Sequence, residues 1–109
     1  MSTLQCPATL LLAPSTAVLP TSLRIAHEWA PDEALLSDDV PTLRAALSEI
    51  ADQSPGETTL VPVLDDRLRT ALPRLARIDV DPDQLRDASL LALEIDADDW
   101  VVRAAYDDA

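Results

Sequence analysis

Residues 57–75 read ETTLVPVLDDRLRTALPRL. Glu57 to Leu64 carries a short apolar run, the pattern of a strand buried on both faces, and such strands belong to sheets covered by helices. Directly after it, Asp65 and Asp66 supply helix-start chemistry, and Leu68, Leu72 and Leu75 recur at helical spacing on one side. A buried strand running into an amphipathic helix points to an α/β architecture. Two prolines disturb the pattern. Pro62 deletes a ladder donor and is expected at an edge, a bulge or a strand end, and Pro73 is expected to kink the helix or split it in two.

Upstream, Ser54-Pro55-Gly56 is a turn holding the chain's only glycine. It follows a helix that starts at residues 38–42 (DDVPT) and carries Leu43, Leu47 and Ile50 as its apolar stripe. Nearer the N-terminus, Ala8 to Ala13 (ATLLLA), closed by Pro14, reads as another strand buried on both faces. Pro20-Thr21-Ser22 then offers first-turn chemistry for a short helix bearing Leu23, Ala26 and Ala30 and ended by Pro31.

Downstream, Asp81-Pro82-Asp83-Gln84 places an N-cap, a Pro at the first helical position and a Gln at N3, so a turn or two of helix is expected through Asp87. Ser89 to Ile95 and Asp99 to Tyr106 flank DADD as a hairpin. The order predicts one α/β domain over residues 1–109: a small, mostly parallel sheet flanked by helices, with a C-terminal β-hairpin.

A chain of 109 residues supports one core. That core is aliphatic, because the chain has no Phe, two Trp and one Tyr. Twenty acidic side chains against eight basic ones give a formal charge of −12, which repels nucleic-acid phosphates and anionic lipid. The expected partners are therefore a protein with a basic surface or a divalent cation, unless the acidity serves solubility alone; a homodimer is the rival use of the surface, with edge strands of the terminal hairpin pairing between chains. All the basic residues are Arg, and Lys, Asn and Phe are absent, the composition of a GC-rich host; an Asp-rich, Lys-free surface also suits a salt-loving cytoplasm. Cys6 stands alone, no apolar run is long enough to span a bilayer, and no basic segment precedes an apolar one, which points to the cytoplasm.

Catalytic chemistry finds few residues to work with. His27, expected on the first helix beside Glu28, is the only histidine, and no nucleophile elbow surrounds it. One glycine cannot form a phosphate-cradling loop, and one Cys with one His cannot complete a zinc site without carboxylates. No cofactor is expected. Asp79, Asp81, Asp83 and Asp87 match positions 1, 3, 5 and 9 of a calcium loop, but Gln84 stands where the sharp turn needs Gly and Leu90 where a bidentate Glu belongs. Helix capping accounts for Asp81 and Asp83 without a metal. Arg67, Arg69, Arg74 and Arg77 crowd into one stretch of an acidic chain; guanidinium forks suit carboxylate and phosphate, so these four are the candidate anion or partner contacts, set against simple pairing with nearby aspartates.

The stretches TLRAALSEIADQSPGETTLVPVLDDRLRTAL and SLLALEIDADDWVVRAAYDD resemble the closing half of the histidine phosphatase (phosphoglycerate mutase-like) superfamily. Pro55-Gly56 matches its turn, Leu60-Val61 its strand, and Trp100-Val101-Val102-Arg103 the returning strand of its hairpin; LLLAPSTAVLPTSLRIAHEW is similar to its strand ending in Ser-Pro and the following helix. The catalytic residues do not carry over. Leu64 stands at the position of the second catalytic His, Asp65 and Asp66 stand where glycines belong, Pro14 is followed by Ser15-Thr16-Ala17 without the pocket Arg, and no Arg-His-Gly motif occurs. The resemblance thus implies a shortened, catalytically dead relative, whose two aspartates would repel the old phosphate substrate.

By elimination, the sequence reads as a non-catalytic acidic interaction protein, pseudoenzyme-like, in the manner of a regulatory, immunity or antitoxin-like subunit. The alternative is a carboxylate-based divalent-metal-binding protein or metal-assisted enzyme.

Overall fold

A computed structural model describes residues 7–14, 25–30, 33, 35, 39–53, 55–96 and 99–106. The N-terminal run forms β1 (Ala8–Leu12), in which Leu10, Leu11 and Leu12 are all buried, so both faces are covered. It pairs in parallel with β3 (Thr58–Val61), reached through helix α1 (Val40–Gln53) and the Pro55-Gly56 turn. Gly56 has φ 75°, a left-handed conformation that a side chain would penalise. Pro62 follows the last residue of β3, where its missing N–H costs the ladder nothing.

Asp39 starts α1: its Oδ2 accepts from the Thr42 N–H at 3.3 Å and from the Thr42 hydroxyl at 2.6 Å. The stripe Leu43, Leu47 and Ile50 is buried, as its spacing predicts. Helix α2 (Asp66–Leu75) is capped by Asp65, whose Oδ1 accepts from the Leu68 N–H at 2.9 Å, and buries Leu68, Ala71, Leu72 and Leu75. Pro73 does not split it. It sits in the last turn, and the Ala76 N–H still donates to the Leu72 carbonyl at 2.9 Å.

A two-residue strand β4 (Arg77–Ile78) precedes α3 (Pro82–Asp87), which begins with Pro at N1; the Asp81 N–H donates to Gln84 Oε1 at 3.1 Å, the returning half of a capping box. The hairpin β5 (Leu90–Asp96) and β6 (Asp99–Tyr106) closes the chain. Its turn residues 97 and 98, the helix start at Pro20–Ser22, Cys6, Ser15 to Ala17 and the terminal Asp107 and Asp108 lie outside the described residues.

The sheet order is β2-β3-β1-β5-β6-β4, with β2 formed by His27–Glu28. It is mixed rather than mostly parallel. Central β5 meets both β1 and β6 antiparallel, and these are the two longest ladders; β1–β3, β2–β3 and β4–β6 are parallel. The hairpin is responsible, since a tight turn joins only antiparallel strands and β5 then docks beside β1.

The first helix is also corrected over its described part: residues 25–30 hold strand β2, not helical turns. The Ala26 N–H donates to the Thr58 carbonyl at 2.9 Å and the Trp29 N–H to the Leu60 carbonyl at 2.8 Å, so the open side of β3 claims this backbone. Nor do the hairpin strands form a sheet edge. β5 is internal, and β6 is paired by β4 over Val101–Val102 and approached by α3.

One large core joins the sheet to the helices: Leu10, Leu12, Val61, Leu91, Leu93, Ile95, Trp100 and Val102 meet Leu43, Leu47, Ile50, Leu68, Leu72 and Leu75. A smaller cluster of Leu11, Ala13, Leu60, Leu90 and Ala92 forms on the other face. Register shifts at Ala92/Leu93, where Ala92 faces Ala104 but Leu93 faces Val102, so Arg103 is the extra residue of a β-bulge. Before it Trp100 and Val102 face the helices; after it Ala105 does, with Ala104 and Tyr106 on the opposite side. Among the described residues no helix is long and apolar enough to cross a membrane.

Candidate functional site

The four crowded arginines are held by α2 and the strand after it, and helical geometry divides them. Arg67 and Arg74 are seven residues apart, two turns of helix, and both line a groove of about 360 Å³ between α1 and α2. Arg69 points elsewhere: its Nη1 donates to the Leu85 carbonyl at 3.0 Å and ties α2 to α3. Arg77 lies beyond the helix, on edge strand β4, with its Nη2 3.8 Å from Asp99 Oδ2 across the β4–β6 pairing.

Within the groove, Val40 and Leu43 come from α1, and Thr70 and Ala71 from α2. Asp66 and Arg67 stand at its α2 N-terminal end, Arg74 at the other. Arg67 Nη2 lies 3.3 Å from Asp65 Oδ2, so the carboxylate that caps α2 also holds a guanidinium. The Thr70 hydroxyl is turned inward, donating to the Asp66 carbonyl at 2.8 Å. Arg74 makes no ion pair or hydrogen bond among the described residues. The contribution of Val40 and Leu43 was not legible from the arginine-rich stretch; the signal that could have singled out one pair of arginines is the seven-residue spacing of Arg67 and Arg74, which puts both on one helix face.

The aspartates that align with a calcium loop do not surround a common point. Asp79 follows β4 and its N–H donates to the Val102 carbonyl at 3.0 Å; Asp81 is the N-cap of α3. Asp83 and Asp87 both turn to Arg86, at 2.9 Å from Nη2 and 3.3 Å from Nε. Asp87, by hydrogen bond and charge, and then Asp83 hold the Arg86 guanidinium above its ordinary pKa. The stretch folds as strand, cap and helix rather than as a loop wrapped about an ion. Among the described residues no three His, Cys, Asp or Glu side chains group as a metal site.

His27 lies on β2 at the sheet margin, its Nε2 beside Glu57 Oε2, with roughly half of each side chain exposed (53% and 48%). Of the positions that align with the phosphatase pocket, Leu64 is buried in the main core and Asp65 is committed to the α2 cap.

The remaining strong contact is structural. Arg44 on α1 lies over the Trp100 ring and donates from Nη1 to the Leu75 carbonyl at 3.2 Å, joining α1, the C-terminal end of α2 and β6. No protein-family model matches this sequence, and neither a curated protein nor a solved structure is matched by it.

Proposed function

We propose that this chain is a non-catalytic acidic binding protein, located in the cytoplasm, that acts through contacts with a basic protein surface, as a regulatory, immunity or antitoxin-like subunit does. The observation that carries the reading is where the charge lies. Thr59 is the only buried polar residue among those described, and every described carboxylate lies outside the core, all but Asp65 and Glu94 of them exposed. The surplus behind the −12 net charge is therefore offered to solvent and to partners, where it raises encounter rates with a cationic surface and suppresses binding to anionic ones.

The same reading accommodates the phosphatase resemblance as a proposal of descent. A chain that lost its catalytic residues could keep the surrounding strand and helix, with Asp65 now serving as a helix cap. Asp65 and Asp66 also sit where an incoming phosphate would meet negative charge.

The test is kinetic. With a partner recovered on the immobilised chain at low salt, the association rate is measured against ionic strength and against neutralisation of Asp96, Asp98, Asp99, Asp107 and Asp108. The expected result is a rate that falls by about tenfold or more as salt screens the pair, and that falls likewise in the neutralised variant. A rate indifferent to both changes removes the acidic surface from the mechanism.

A further inference from the structure

The groove between α1 and α2 carries cationic chemistry that an acidic docking surface does not explain. We propose that it binds a small organic monoanion with an apolar body, the anionic head held by Arg74. The floor is aliphatic and fixed: Leu43 and Ala71 are 2% and 7% exposed, and Val40 packs against the same core. At about 360 Å³, the groove falls at the lower end of the roughly 300–1,000 Å³ occupied by small ligands.

Its two ends differ in charge. Asp66 stands at one end beside Arg67, whose guanidinium is drawn to Asp65. Arg74, about 10 Å further along the helix axis, has no anion of its own among the described residues although acidic side chains outnumber basic ones across the chain. A planar guanidinium without a partner is a bidentate site for a carboxylate. Asp66 disfavours a second negative group at its end, so the head lies at Arg74 and the apolar body runs along Ala71 and Leu43 toward Val40.

The net charge selects for a single negative group. Repulsion from −12 grows with the charge of the occupant, whereas one carboxylate in contact with Arg74 gains a short-range attraction against a field screened beyond about 8 Å at physiological salt. An acidic protein or a polyphosphate is disfavoured on the same ground.

The probe is hexanoate, titrated into the isotope-labelled protein while backbone amide signals are followed, with hexan-1-ol and hexaglutamate as comparators. The expected result is a saturable shift at Val40, Leu43, Ala71 and Arg74, with hexanoate binding in the millimolar range that so few atoms can supply. Arg74→Gln weakens that binding by about tenfold, as loss of a charge-assisted contact requires, Arg74→Lys restores part of it, and Asp66→Asn tightens it. Arg77→Gln, outside the groove, leaves it unchanged. Absence of a saturable shift, hexanol binding as tightly as hexanoate, hexaglutamate binding more tightly, or an unchanged Arg74→Gln variant each overturns the proposal.

Discussion

The guanidinium of Arg44 lies 4.6 Å from the centroid of the Trp100 ring. Trp100 is 5% exposed at the start of β6, so the cation covers the ring's approach to solvent while its Nη1 satisfies the Leu75 carbonyl near the end of α2. α1, the C-terminal end of α2 and β6 are thereby joined through one side chain. Arg44→Gln is expected to lower unfolding free energy by about 1 kcal/mol, with a change in Trp fluorescence of the folded protein; Arg44→Lys recovers less than half, because a point charge cannot both stack and donate as the fork does. Chemical denaturation of the three proteins measures this.

Asp65 is the sole side chain capping α2 at its first turn, through Leu68 N–H. Replacing it with Ala costs about 1 kcal/mol, whereas Asn keeps most of the cap. Because the same carboxylate pairs with Arg67, the Ala variant also removes that ion pair, and the resonance of the Arg67 side chain shifts in the spectrum while that of Arg74 does not.

Thr59 is 1% exposed on β3, between Leu10 and His27 in register, and its hydroxyl has no hydrogen-bond partner among the described residues. Desolvating a hydroxyl without a bond is unfavourable, and Val has nearly the same shape. Thr59→Val is expected to stabilise the fold by about 1 kcal/mol, seen as a higher thermal midpoint. The contrasting change, Leu93→Ala in the fully buried centre of β5, costs about 3 kcal/mol through lost transfer energy and a residual cavity.

Self-repulsion among surface carboxylates opposes the compact state, and salt relieves it. Raising NaCl from about 0.1 M to about 1 M shortens the screening length from about 10 Å to about 3 Å. The thermal midpoint should rise by several degrees, and the rise should shrink in a variant with Asp52, Asp96 and Asp99 changed to Asn, all of which are exposed. Equal rises in both proteins would assign the effect to general salting-out.

Elements with local signals were legible in the sequence. α1 and α2 announce themselves by a cap and an apolar spacing, α3 by its cap, Pro and Gln alone, and β1, β3 and the hairpin by short apolar runs. β2 and β4 were not, because a two-residue strand has no periodicity and exists only through its neighbour's ladder. Ala26 and Ala30 fit a helix by spacing, but the open side of β3 competes for the same backbone and wins. The direction of β5 was hidden for a different reason: a strand buried on both faces reads the same in either direction. Among the arginines the helical period already separates Arg69 from Arg67 and Arg74, while the pairing of Arg77 with Asp99 depends on a parallel contact that no local pattern records.

The bulge at Arg103 acts on the hairpin as a phase shifter. Were Arg103 paired in regular register instead of bulged, strict alternation from Trp100 and Val102 would turn the last three positions of β6 over, pushing the Tyr106 ring toward the helices and Ala105 away from them. The position facing Leu91 is occupied by Ala105, beside the α3 residues Asp83, Gln84 and Asp87. Deleting Arg103 would therefore leave Ala104, Ala105 and Tyr106 on the sides they already serve, whereas inserting one residue after the bulge would act as a frameshift in three dimensions and exchange them.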